Sequence, residues 1–166
     1  MSALNSWSFT GFGGEGTATS TASGDVTNPS GPELNAPHRL YLGHLPASRV
    51  LTVTPDTAHP QTQDITLAAL NRPEANGYLA VKIPIQDSAG EHYFCVEFRQ
   101  KSGFDRGIRR DTVLAHEWKP DNHSYLQQTS GSPELLDGAV FSQRRFTVTV
   151  KQINTGEATA TITLTA

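Results

Sequence analysis

Phe146-Thr-Val-Thr-Val-Lys-Gln-Ile-Asn-Thr-Gly-Glu-Ala-Thr-Ala-Thr-Ile-Thr-Leu-Thr165 reads as two strands joined by a turn. Phe146, Val148 and Val150 fall on one face, and Ile162 and Leu164 continue it in the second half. Thr147, Thr149, Thr159, Thr161, Thr163 and Thr165 take the alternate positions. A period of two marks a strand with one buried face, and Asn154-Thr-Gly-Glu157 supplies turn residues between the halves. The stretch predicts an antiparallel hairpin with an apolar face and a Thr-rich face, of the kind that forms an outer pair in a sandwich.

The same period runs upstream. Leu51 and Val53 alternate with Thr52 and Thr54, and Ile65 and Leu67 with Thr66 and Ala68. The connection over residues 55–62 holds Pro55 and Pro60, so these two runs are expected to pair as a hairpin. Leu79, Val81, Ile83 and Ile85 follow, and Pro84, which cannot donate to a ladder, belongs near a strand end or on an edge. Asp87-Ser-Ala-Gly90 reads as a turn. Phe94, Val96 and Phe98 then share one strand face, with Tyr93, Cys95, Glu97 and Arg99 on the other, and a further strand runs from Thr112 to Trp118. About seven short strands with turns between them predict an all-β chain folded as an antiparallel β-sandwich. No segment has helical periodicity beyond a turn or two, and there is no internal repeat.

Residues 1–36 differ from the rest. Gly11, Gly13, Gly14, Gly16 and Gly24 lie among Ser and Thr, and Asn28-Pro-Ser-Gly-Pro32 follows. Such a stretch offers little apolar surface to offset backbone ordering, so an irregular, partly mobile segment is expected, with Trp7, Phe9 and Phe12 as its only anchors. Residues 37–166 form the predicted sandwich domain. A chain of 166 residues can bury roughly 70% of its unfolded surface in one domain. Its 36% hydrophobic and 17% charged residues suit strands with polar outer faces.

The net charge of −3 gives no electrostatic case for nucleic acid or an anionic membrane as partner. No apolar run approaches the ~20 residues of a transmembrane helix. The first basic residue is Arg39 and no apolar run follows Met1, so no signal peptide is read. The single cysteine, Cys95, excludes an internal disulfide, and its place between Phe94 and Val96 predicts a structural thiol.

Six histidines are present, but the spacing of a zinc peptidase is missing. That spacing sets two His four apart on a helix with a Glu between them, so that both rings face one metal. His116-Glu117 is followed by Trp118-Lys119-Pro120, and Pro120 interrupts any helix before His123. His116, Glu117 and His123 are the nearest approach to a ligand set; surface or edge-strand histidines are the expectation, with no metal, catalytic residue or cofactor assigned. His38, His44 and His59 sit in connections without ligand spacing. No Gly-x-Ser-x-Gly elbow holds a serine nucleophile. Gly11-Phe-Gly-Gly-Glu-Gly16 lacks the Lys and the strand–helix setting of a phosphate loop.

Glu97 and Arg99, two apart on one strand face, form a structural pair; partly exposed, it would add about 0–1 kcal/mol. Arg106, Arg109 and Arg110 are candidates for a loop that grips an acidic or glycan ligand. Tyr41, Tyr78, Tyr93, Trp118 and Tyr125 are the aromatics that would stack on a sugar if they shared a face, with Trp118 and Tyr125 the foremost ligand or domain-contact candidates.

Three stretches in order resemble the region beyond the catalytic centre of secreted zinc peptidases related to immune inhibitor A and gametolysin. Asn35-Ala-Pro-His-Arg-Leu-Tyr-Leu-Gly-His-Leu45 is similar to a run that ends there in a Leu-Gly-Trp-like motif, with His44 in place of the tryptophan. Tyr93-Phe-Cys-Val-Glu-Phe-Arg-Gln-Lys-Ser-Gly-Phe-Asp105 resembles a strand and loop with Glu, Arg, Gly and Asp at the spacing of Glu97, Arg99, Gly103 and Asp105. Thr112 to Trp118, Ser124-Tyr-Leu126, Leu136-Asp-Gly138 and residues 146–164 are similar to the closing strands. The resemblance covers roughly residues 35–166. It implies a non-catalytic β-sandwich whose partner is a metallopeptidase catalytic domain, and an extracellular location. The family's zinc ligands and catalytic Glu lie upstream and map onto nothing here. The alternatives are a free-standing module for glycans or glycoproteins, or an inactive gene fragment.

Overall fold

The computed structural model describes residues 33–85 and 90–166. The expected irregular segment up to residue 32, with Trp7, Phe9 and Phe12, lies outside the described residues, as do residues 87–89 of the expected turn. In chain order the elements are α1 (Ala36–Tyr41), β1 (Val50–Thr52), β2 (Thr62–Ala68), β3 (Ala80–Pro84), β4 (Tyr93–Arg99), β5 (Thr112–Trp118), β6 (Ser124–Leu126), β7 (Val140–Gln143), β8 (Phe146–Asn154) and β9 (Thr159–Thr165). The strands make two sheets, ordered β1-β3-β4-β5-β6 and β2-β9-β8-β7. All pairs are antiparallel except β1 with β3. The fold is the predicted all-β sandwich.

The two sheets close on one apolar layer. Phe94, Val96 and Phe98 of β4 meet Val148, Val150, Ile162 and Leu164 of the β8–β9 hairpin, all buried. Phe94 also packs its ring against Phe146 and Phe141, at centroid distances of 5.2 and 6.1 Å. The hairpin forms as its alternation predicts, but it is the middle of its sheet, flanked by β2 and β7. Its turn also differs. The left-handed residue is Ala158, at φ 54°, while the Asn154 side chain accepts the Glu157 N–H at 3.2 Å.

The predicted hairpin of the first two runs does not form. β1 pairs in parallel with β3, Val50 opposite Ala80, whereas β2 crosses to the other sheet and pairs with β9, Ile65 opposite Ile162. Parallel neighbours need a crossover, and β2 lies on that crossover path. Alternation shows which face of a strand is buried; it carries no information on which strand lies beside it. On the way from β2 to β3 the chain passes close to β2 at Gly77. At φ +119° a Cβ there would stand 2.6 Å from the Thr66 carbonyl oxygen, which accepts the Tyr78 N–H at 2.9 Å. Pro84 is the last residue of β3, where its missing donor costs no ladder bond.

The outer face of the five-stranded sheet is covered too. α1 starts at an Asn35 cap, whose Oδ1 accepts the His38 N–H at 3.1 Å, and has Pro37 in its first turn. It stops at Gly43, φ +70°, the left-handed residue that often follows a helix. Beneath it a second apolar cluster forms from Ala36, Leu70, Leu79, Tyr93, Cys95 and Trp118. Every residue of β4 is therefore buried. The polar residues placed on that face by the alternation are inside the protein.

Candidate functional site

Glu97 and Arg99 project from β4 into the layer under α1, and their side chains are 0% and 4% exposed. The expected partly exposed pair is thus a buried one, because residues 33–41 lie over it. A buried guanidinium needs acceptors for its five N–H groups. Arg99 Nε donates to Glu97 Oε1 at 2.8 Å, and Nη1 reaches both Asp105 oxygens at 2.9 Å. Nη2 donates to the carbonyls of Glu33 and Leu34 at 3.2 and 3.0 Å. Asp105 is delivered by a short 3-10 turn, Gly103–Gly107, that folds back from the end of β4.

The carboxylates also hold main chain. Asp105 Oδ1 accepts the Glu33 N–H at 3.3 Å, and Glu97 Oε2 accepts the Ala36 N–H. Two carbonyls and two N–H groups of residues 33–36 are thus bound by three side chains of β4 and its following loop. Burial alone would raise the Glu97 carboxyl, but the charge of Arg99 outweighs it and holds it well below the usual carboxylate range. Asp105 goes the other way, pushed up because burial outweighs its share of Arg99. Of the two acids, Glu97 carries the firmer charge.

A chain of polar groups extends from this cluster to α1. His116 on β5 has Nε2 at 3.4 Å from Glu97 Oε1, without meeting hydrogen-bond geometry, and Nδ1 at 3.3 Å from Ser124 Oγ. Asn35 Nδ2 donates to the same Oγ at 3.2 Å, and Asn35 Oδ1 lies 2.7 Å from His38 Nδ1. His116 is buried on an inner strand, which corrects the expectation of a surface or edge-strand histidine, and His38 is buried in α1, where a connection was expected. They lie on the covered outer face of the sheet, a cover that strand alternation does not reveal.

Glu97, His116 and Ser124 are the residue types of a charge relay. Here Glu97 accepts the Ala36 N–H and Ser124 Oγ accepts the Asn35 amide, so both hold residues 35–36 to the sheet. Ser124 is 9% exposed, its Oγ is bonded by the Asn35 amide, and a substrate could approach only by displacing residues 33–36. Among the described residues no group of three or more His, Cys, Asp and Glu could hold a metal ion, and no helix is long and apolar enough to cross a membrane.

Trp118, a candidate for ligand contact, is buried at 0% exposure. Its ring lies among those of Tyr41, His38 and Tyr93, with centroids at 5.2, 5.5 and 6.1 Å. Tyr125 is exposed, bonds Asp121 through its hydroxyl and carries Lys119 over its ring. Ser124 is the residue opposite Trp118 in the β5–β6 register, so Tyr125 lies on the other face of the sheet. The two aromatics do not make one surface. Arg106, Arg109 and Arg110 stay exposed on the loop, with Arg110 3.4 Å from Glu134, while Asp105 from the same loop turns inward. Asn35 and Ser124 were not singled out as site residues by the sequence, Asp105 entered only as part of the resemblance, and His116 was weighed only as a metal ligand. One signal was available: residues 93–96 are apolar without a break, as in a strand buried on both faces.

No protein-family model matches the chain, and no curated protein or solved structure matches it.

Proposed function

We propose that the chain is a non-catalytic accessory module, similar to the sandwich beyond the catalytic centre of gametolysin-like and immune inhibitor A-like zinc metallopeptidases. Its role is to pack on a peptidase domain or to position substrate for one. An extracellular location goes with this reading, since the resembled family is mainly secreted. One observation supports it most. Residues 35–45 and 93–105, the two leading stretches of the resemblance, lie against each other, and Glu97, Arg99 and Asp105 grip residues 33–36. The residues on which the resemblance rests hold these two stretches together. Beside them Tyr41 and Leu42 stand exposed, an apolar contact suited to a neighbouring domain.

The test uses the full chain with casein, with and without a chelator, and then with an isolated gametolysin-like catalytic domain. No hydrolysis is expected from the chain alone. Binding to the catalytic domain is expected by calorimetry, with a raised Tm for that domain and weaker binding by Tyr41→Ser. Chelator-sensitive hydrolysis by the chain alone, or no binding, overturns the proposal.

A further inference from the structure

The polar chain under α1 has a direction, which fixes a donor at His38 Nδ1 and allows one proton arrangement with a partner at every step. Asn35 Oδ1 can only accept, and it already receives the His38 main-chain N–H at 3.1 Å, so His38 Nδ1 at 2.7 Å must be a donor. Asn35 Nδ2 donates to Ser124 Oγ at 3.2 Å. The Ser124 hydroxyl proton is then free to point at His116 Nδ1, 3.3 Å away, which accepts. That leaves the His116 proton on Nε2, facing Glu97 Oε1 at 3.4 Å.

We propose that the layer between α1 and the sheet is an acid-released latch, in which His38 must stay neutral for α1 to remain docked. A second proton on His38 would sit on Nε2 of a ring 5% exposed, edge-on to Trp118 at 5.5 Å. The groups facing that ring come from every element around it. β4 supplies Glu97 and Tyr93, whose hydroxyl donates to the Pro37 carbonyl at 3.4 Å; β5 supplies His116; the turn after β5 supplies His123; and Arg39 follows on α1 itself. Only Glu97 would welcome the charge, and Arg99 already holds it at 2.8 Å. Burial keeps the His38 pKa below 6.5. A lowered folded pKa means that docking is fully favoured above 6.5 and weakens as pH falls through the folded value. The latch stands on these contacts alone and does not depend on the peptidase reading.

The test uses the full chain carrying Trp7→Phe, so that Trp118 is the only indole, and a titration from above neutrality to about pH 5. A reversible red shift and increased quenching of Trp118 are expected while the far-ultraviolet dichroism of the strands persists. His38→Asn places an amide N–H where Nδ1–H was and cannot gain a proton; it should hold Trp118 buried over the same range. An unchanged wild-type spectrum, an equal shift in His38→Asn, or loss of strand dichroism along with the shift overturns the latch. If His38→Asn fails to fold, nitrogen-15 spectra of the wild-type imidazoles decide. Protons on His38 Nδ1 and His116 Nε2, with His38 titrating below 6.5, support the latch, and any other pattern overturns it.

Discussion

Arg99 Nε lies 2.8 Å from Glu97 Oε1 on the same face of β4, with both side chains buried and Asp105 closing the other side of the guanidinium. Two carboxylates share one arginine, so the arrangement depends on it. Arg99→Met leaves two buried acids without their cation and is expected to cost about 3–5 kcal/mol in urea unfolding. Arg99→Lys should recover only part of this, because an ammonium cannot reproduce the fork that meets Glu97, Asp105 and two carbonyls together.

Acid should act on Glu97 with a definite sign. Its folded pKa is lowered, so its contribution is present above the ordinary carboxyl value of 4.5 and lost as pH falls through the folded one. Glu97→Gln should therefore destabilise the protein near neutrality and flatten the acid side of its stability profile. Denaturation midpoints measured across pH 3 to 7 would reveal a wild-type-like slope if the carboxylate carries no such charge.

Trp118 and Tyr125 should separate cleanly. Trp118→Ala empties the space between Tyr41, His38 and Tyr93 and is expected to cost about 3–5 kcal/mol. Tyr125→Ala, on an exposed ring, should stay within about 0.5 kcal/mol. Thermal unfolding of the two variants checks the contrast.

Gly77→Ala should destabilise by more than about 1 kcal/mol, since the φ of +119° and the Thr66 carbonyl at 2.6 Å both oppose a methyl group. Gly131→Ala, with a positive φ of 80° but open space around it, should cost less. The difference between the two reflects the close approach at Gly77 together with its more extreme φ.

Cys95 should be inert to thiol reagents in the native protein. It is fully buried beside Tyr93 and Trp118 in the layer under α1, and burial raises its pKa well above the ordinary thiol value. Modification should appear only as denaturant opens the fold, at the rate of opening.

The sandwich was legible because its faces are written in local alternation. Phe146, Val148 and Val150 against Thr147 and Thr149 suffice to say which side is buried. Partner choice was not legible: the alternation of β1 and β2 marks their apolar positions, but nothing in it says that residues 53–61 carry β2 to the other sheet. The site was half legible. Glu97 and Arg99 stood out as a pair, but their burial depends on residues 33–41, whose helix is six residues long and has little periodicity to detect. Its Asn35 cap followed by Pro37 was the available cue. Trp118 misled for the same reason, since an aromatic at a strand end reads alike whether or not a helix lies over it.

The pairing of β2 with β9 has a consequence for how the protein is made. Thr62 and Thr165 are partners across 103 residues, so the four-stranded sheet cannot close until its last strand has left the ribosome. At about 5–20 residues per second, β2 waits roughly 5–20 s with an unpaired edge. Its outward charge, Asp64, is the kind of side chain that discourages a foreign strand from taking the vacancy in that interval.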